Sequence, residues 1–146
     1  MHSVFARPRL NEVHRLVGEA GLPVEDLNEL DLAHFLGGGE PDRLRGVVGL
    51  ELCGDAALLR SLAVEPEARG AGLGRALVAA AEVHARSRGV RSLYLLTTTA
   101  AGFFERLGYR PLDRNQAPNG IRRTREFAGL CPASATFMVK QLTESR

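Results

Sequence analysis

The segment Arg69-Gly70-Ala71-Gly72-Leu73-Gly74-Arg75 constrains the fold more than any other, because three alternating glycines stand between an extended apolar run and a long stretch of helical period. Leu62-Ala63-Val64 ends the run, and Glu65-Pro66-Glu67-Ala68 interrupts regular structure. From Gly72 onward Leu73, Ala76, Leu77, Ala80, Val83 and His84 repeat on one side of a helix that Gly89 ends. The first turn of such a helix presents backbone N–H groups and partial positive charge, and glycine removes the side chains that would hold a diphosphate away. Arg69 and Arg75 add charge-assisted donors. A nucleoside-triphosphate loop would end in Gly-Lys-Ser/Thr, and a dinucleotide fingerprint would carry glycine where Arg75 stands, so neither fits. A tight strand-to-helix turn with no ligand is the plainer reading of the same three glycines.

Around that segment the pattern predicts an extended Ser3–Arg7 and a helix capped by Asn11 with Val13, Leu16, Val17 and Ala20 on one face. A short helix near Val24–Leu30 leads to an apolar run, Leu32–Leu36, which ends in a turn at Gly37-Gly38-Gly39-Glu40-Pro41-Asp42. Strands over Leu44–Cys53 and Ala56–Val64 follow. After the long helix come a strand over Val90–Leu96, parallel to its predecessor, a helix over Ala100–Leu107, a strand over Tyr109–Leu112, a polar insert over Ala117–Leu130 and a closing strand over Ser134–Leu142. The expected fold is α/β (α+β): one mixed, mostly antiparallel twisted sheet of six to seven strands flanked by helices. At 146 residues, the whole of 1–146 is expected to form a single domain.

Composition narrows the function. Hydrophobic residues at 45%, charged residues at 25% and a net charge of +2 describe an ordinary globular chain, with no basic stripe for nucleic acid and no apolar run long enough for a membrane span or signal peptide. A cytoplasmic protein is expected. Cys53 and Cys131 are too few for a disulfide framework, and His2, His14, His34 and His84 lack ligand spacing, so no metal site is expected.

The run Leu62-Ala63-Val64-Glu65-Pro66 followed by Arg69-Gly70-Ala71-Gly72-Leu73-Gly74 resembles the Arg/Gln-x-x-Gly-x-Gly/Ala motif of the GCN5-related N-acetyltransferase superfamily. Thr97-Thr98-Thr99-Ala100-Ala101-Gly102-Phe103-Phe104-Glu105-Arg106-Leu107-Gly108-Tyr109 resembles that family's Asn-x-x-Ala-x-x-Phe-Tyr-x-x-x-Gly-Phe segment, with Thr97 in place of asparagine and Phe104 in place of tyrosine. Stretches 58–64, 93–101 and 126–135 are further similar to acetyltransferases of bacterial arsenic-resistance operons. The resemblance implies acetyl-CoA as cosubstrate, a loop at Arg69, Gly70, Ala71, Gly72, Leu73, Gly74 and Arg75 holding its pyrophosphate, and a splayed strand offering main-chain groups of Leu62, Ala63 and Val64 to its pantetheine arm. It also implies cofactor contacts from Thr97 and Phe104. The backbone N–H of Val64 would polarise the thioester carbonyl, while Phe104 leaves the usual tyrosine acid missing.

Direct acyl transfer needs an oriented neutral amine, an oxyanion donor and a proton acceptor. Glu51, a carboxylate within the apolar strand Val47–Cys53, is the candidate base, and an outward-facing surface glutamate is the alternative. Arg60 is read either as a ligand for an acidic substrate group or as an arginine whose stem lies on apolar neighbours. Cys131 is read as an arsenic-binding thiol or a lone buried cysteine. The expected activity is acetyl transfer to an amine of a small molecule, in arsenic or xenobiotic resistance. A catalytically weak CoA-binding sensor and a protein or peptide N-acetyltransferase stay open, as does a homodimer through a sheet edge or the insert.

Overall fold

Alternation along adjacent strands sorts the side chains into layers before any helix is considered: in the strand through residues 43–53, Val47 and Val48 are both fully buried yet join different clusters. The structure, a computed structural model, describes residues 3–130 and 133–142. The elements run β1 (Val4–Ala6), α1 (Leu10–Glu19), a 3₁₀ helix (Glu29–His34), β2 (Phe35–Glu40), β3 (Arg43–Cys53), β4 (Ala56–Val64) and α2 (Leu73–Ser87). They continue with β5 (Ser92–Thr97), α3 (Ala101–Arg106), β6 (Arg110–Pro111), α4 (Asn119–Arg122), a wide helical turn (Glu126–Leu130) and β7 (Thr136–Gln141). Seven strands form one sheet in the order β1-β2-β3-β4-β5-β7-β6. All neighbours are antiparallel except β4 and β5, which pair in parallel. Among the described residues no helix is long and apolar enough to cross a membrane.

Leu50, Leu59, Leu93 and Leu95 pack with Leu73, Leu77, Ala81 and Phe104, which places α2 and α3 on one face. Val47 and Ala63 pack with Val13, Leu16 and Val17 of α1, and Leu58 and Phe137 with Ile121 of α4, on the other. Val13, Leu16 and Val17 of the apolar period expected for α1 form its buried face, while Ala20 is exposed just past the helix end. Its start differs, because Arg9 occupies the capping position without a side-chain bond and Asn11 lies inside the first turn.

Two local expectations are corrected. Residues 24–28 are not helical; Asn28 instead caps the 3₁₀ helix that starts at Glu29 and takes up most of the apolar run before Phe35, its side chain accepting from Leu30 N–H at 2.9 Å. The glycines at 37–39 are not a turn either but lie within β2, with the reversal left to Pro41-Asp42. Side-chain packing crowds two of them. A Cβ on Gly37 would stand 2.8 Å from Leu44, and one on Gly38 would stand 2.7 Å from Leu73 at the start of α2. Gly38 pairs in register with Gly46, whose own Cβ would meet Leu77 at 2.8 Å and Leu73 at 2.9 Å, so α2 sits directly on bare backbone of β2 and β3.

Gly49 gives the fold its sharpest packing test, because a Cβ there would fall 2.2 Å from the ring of fully buried Phe35. Gly49→Ala is expected to cost about 1–3 kcal/mol by overpacking, read as a lower denaturation midpoint at unchanged m-value; an unaltered midpoint would show that β2 gives way freely.

Candidate functional site

β4 and β5 run together for three residue pairs, Ala56 with Ser92, Ala57 with Leu93 and Leu58 with Tyr94, and then separate. The cause is local to β4. Val47 pairs with Ala63 and Gly49 with Arg60, so two residues, Ser61 and Leu62, stand opposite Val48 alone. This bulge puts Ser61 at φ 60°, a left-handed conformation that costs a non-glycine residue on the order of 1–3 kcal/mol. Beyond it the ladder to β3 resumes, and Glu65 N–H bonds the Arg45 carbonyl at 2.9 Å. Antiparallel alternation then turns the N–H and C=O of Val64 toward the gap left by β5, where its carbonyl accepts from Arg69 Nε at 3.0 Å.

The gap is a cleft of about 980 Å³. One end is walled by Leu62, Ala63 and Val64, by Arg69, Gly70, Gly72, Leu73, Gly74 and Arg75, and by Thr97, Ala100, Phe103 and Phe104. Gly70 and Gly72 adopt φ 85° and 89°, a conformation that selects glycine, and Gly72 precedes α2 with no side-chain cap. Gly74 is different. It is helical, and a Cβ there would meet only ordinary contacts at 3.6 Å or more, so the fold itself does not require glycine at that position. Ala71 is exposed and not on the cleft wall, whereas Leu73 is 4% exposed and belongs to the core as well. Thr97 Oγ1 accepts from Ala100 N–H at 3.0 Å and so starts α3. Phe104 is buried edge-on against Tyr109 and carries no polar atom into the cleft.

The other end is walled by Ala20–Pro23 and Glu25 after α1, by Arg60 and Ser61, and by Glu126, Leu130 and Ala135. Arg60 holds these pieces together. Its guanidinium pairs bidentately with Asp26, lies 3.1 Å from Glu126 and 3.5 Å from Glu51, and donates through Nε to Ser61 Oγ at 3.0 Å. Burial would raise the Asp26 carboxyl, but hydrogen bonding and charge from Arg60 outweigh it and hold Asp26 below its usual range. Glu51 goes the other way: burial pushes it up and Arg60 only partly offsets this. Glu51 does not line the cleft, while Glu126 does.

Thus most of the residues expected at a cofactor loop come together on one wall, and Glu51 lies beside Arg60 outside it. Asp26, Glu126 and the bulge at Ser61 escaped the sequence reading. The available signal was Arg60 itself, since a charged side chain within an apolar strand calls for countercharge from elsewhere in the chain. Cys131 lies outside the described residues.

Residues 32–111, more than half of the chain, match the acetyltransferase (GNAT) domain family. The chain belongs to the GNAT acetyltransferase family. GNAT relatives include a Chlorobaculum tepidum protein named as an uncharacterized N-acetyltransferase, 42% identical over 67 residues, covering 46% of this chain and 43% of that protein. The amino-acid acetyltransferase of Pseudomonas fluorescens is 39% identical over 64 residues, covering 44% of this chain and 15% of that protein. These relatives are therefore matched over less than half of their own length. The GNAT fold extends to N-acetylglutamate synthase of Neisseria gonorrhoeae solved with coenzyme A and N-acetyl-glutamate, with a TM-score of 0.84 at 21% identity over 99% of this chain and 36% of that one. A Mycobacterium tuberculosis protein solved with CoA gives 0.78 at 22% identity over 97% and 99%.

Removal of the Arg60 charge tests this GNAT site's electrostatics. Arg60→Met leaves three carboxylates without their shared cation and is expected to cost about 3–5 kcal/mol at neutral pH. Because the depressed Asp26 contributes stability above its ordinary pKa and loses it as pH falls through the lowered value, the deficit should shrink on acidification below about pH 4. A deficit that is constant from pH 7 to pH 3 in denaturant titrations would contradict the network.

Proposed function

We propose that residues 1–146 act as one acetyl-CoA-dependent N-acetyltransferase domain that moves an acetyl group to an amine of a small molecule by direct transfer, in the cytoplasm. The observation that carries this reading is the cleft between the diverging strands β4 and β5, floored by the glycine-lined first turn of α2. The residues suit a CoA-type cosubstrate. Glycine at 74, which packing does not demand, leaves room for a phosphate beside the N–H groups of the helix start, and Arg69 and Arg75 flank it. When bound, that cosubstrate supplies the activated acetyl thioester. Leu62, Ala63 and Val64 would orient it through the main chain, with Thr97 and Phe104 opposite.

The Val64 N–H, turned into the gap by strand alternation, is proposed as the donor to the carbonyl oxygen. A carboxylate of the Arg60 cluster, Glu51 in the sequence reading, is proposed as the proton acceptor. Phe104 provides no proton to the leaving thiolate, which then takes one from water or from the acceptor amine. A part in arsenic or xenobiotic resistance is supported by the sequence resemblance at 58–64, 93–101 and 126–135.

Incubation with acetyl-CoA and a panel of primary amines, including amino-acid analogues bearing arsenic or phosphorus, is expected to release free thiol. Tight CoA binding without turnover on any amine would favour the sensor reading, which the missing hydroxyl at Phe104 supports. Acetylation of peptides but not of free amines would move the activity to proteins. Gly74→Ala separates ligand binding from folding: stability should hold or rise by up to about 1 kcal/mol, since alanine is the better helix former. CoA affinity should fall several-fold in calorimetry; unchanged affinity would reject the loop as the phosphate site.

A further inference from the structure

A thioester that loses its acyl group leaves a thiolate in need of a proton, and Phe104 has none to give. Tyr109, the phenol packed edge-on against Phe104, is spent on Glu82, to which its O–H donates at 2.9 Å. Among the described residues, the hydroxyl-bearing side chains on the cleft wall are Ser61, Thr97, Thr98 and Thr99. Thr98 and Thr99 are exposed, and Thr97 Oγ1 takes the Ala100 N–H to start α3. Ser61 differs from all three in place, in burial and in backbone.

It is 6% exposed and stands where the two ends of the cleft meet, just before the strand segment 62–64 of the loop end. Leu59 and Leu62 both pack in the α2 layer, where strict alternation would put Leu59 and Ser61, while Ala63 joins the α1 layer. Ser61 is therefore the extra residue of the bulge. Glycine would take φ 60° there without strain and is favoured at such bulges, so the backbone alone selects against serine. What serine adds is a hydroxyl, which donates once and accepts through two lone pairs. One lone pair accepts from Arg60 Nε at 3.0 Å, a charge-assisted bond that polarises the O–H and eases release of its proton. The proton and the second lone pair have no partner among the described residues.

We infer that Ser61 is a catalytic proton relay, passing the proton shed by the attacking nitrogen to the departing sulfur in place of the hydroxyl that Phe104 lacks. This rests on the acetyl-transfer reading above. In the step, the lone pair of the neutral amine forms the C–N bond at the thioester carbonyl carbon, and the C–S bond breaks with its electron pair on sulfur. The nitrogen gives its proton to the open lone pair of Ser61 Oγ while the Ser61 O–H gives its own to sulfur. The products are the acetamide and the free thiol, and Ser61 ends with the proton count at which it began. An amine that arrives as ammonium loses its first proton to the carboxylate proposed above, so Ser61 handles only the second. No charge is left on the relay, which suits a side chain with so little water around it.

The variants are Ser61→Gly, Ser61→Ala and Ser61→Cys. Each is assayed as free thiol released from acetyl-CoA with the panel of primary amines, n-butylamine and L-glutamate among them, and titrated with CoA by calorimetry. Glycine and alanine differ in backbone strain but lack the relay alike. Ser61→Gly should therefore denature at a higher midpoint than Ser61→Ala, yet both are expected to lose on the order of 100-fold in kcat at unchanged CoA affinity. Ser61→Cys keeps a transferable proton and should recover part of that loss. Wild-type kcat in Ser61→Gly would overturn the relay, and so would kcat losses that simply follow the denaturation midpoints. A loss in Thr97→Val with none in Ser61→Gly would also overturn it, handing the proton to Thr97. No thiol release by wild type with any amine, CoA binding intact, would reject the acetyl-transfer reading and the relay with it.

Discussion

The bulge at Ser61 and Leu62 is the constraint on which the rest of this molecule depends. A parallel pair of strands at the centre of a sheet would ordinarily be zipped along its whole length, and here the zip stops after Leu58 and Tyr94. Opening a sheet in its middle strips hydrogen-bonding groups of their partners, and such groups must find others. One of them, the Val64 carbonyl, is taken by the Arg69 side chain. The opening persists because the layer beneath does not follow it: Leu59, Leu73, Leu77, Leu95 and Phe104 share one core across both sides of the gap. A strained residue, a broken ladder and a continuous core thus belong to one arrangement.

The two ends of the cleft are built by different physics. At the loop end the backbone does the work, through glycines at positive φ and a helix start without a side-chain cap. At the Arg60 end side-chain charge does it, joining the loop after α1, a central strand and the turn at Glu126–Leu130, segments distant in the chain. The fold that carries both ends is shared with proteins only 21–22% identical.

The same division explains what could be read in advance. Local chemistry was legible: the glycine motif, the long helix after it, the strands at Leu44–Cys53 and Ala56–Val64, and the parallel crossover all reappear in the structure, but the face expected for α2 is turned, with Val83 63% exposed and Glu82 buried alongside Leu77, Val78 and Ala81. Gly37–Gly39 misled because composition equates clustered glycine with a turn, whereas here Gly37 lies against Leu44, Gly38 against Leu73 far along the chain, and Gly39 takes φ 102° where β2 and β3 shift register. Asp26 is separated from Arg60 by 34 positions. Glu126 sits in a short wide turn with no apolar period to mark it. No neighbour in the chain announces either of them.

The seating of Leu73 on Gly38 and Gly46 carries one more consequence. Those two glycines form a register pair on strands that do not touch the cleft, yet their bare backbone sets how closely the first turn of α2 approaches the sheet. They act as a shim under the loop. A methyl group added at either would press on the side-chain ends of Leu73 or Leu77, which must repack for the helix start to keep its seat. Natural variation in ligand geometry between related chains can therefore arise from positions that no inspection of the binding wall would single out.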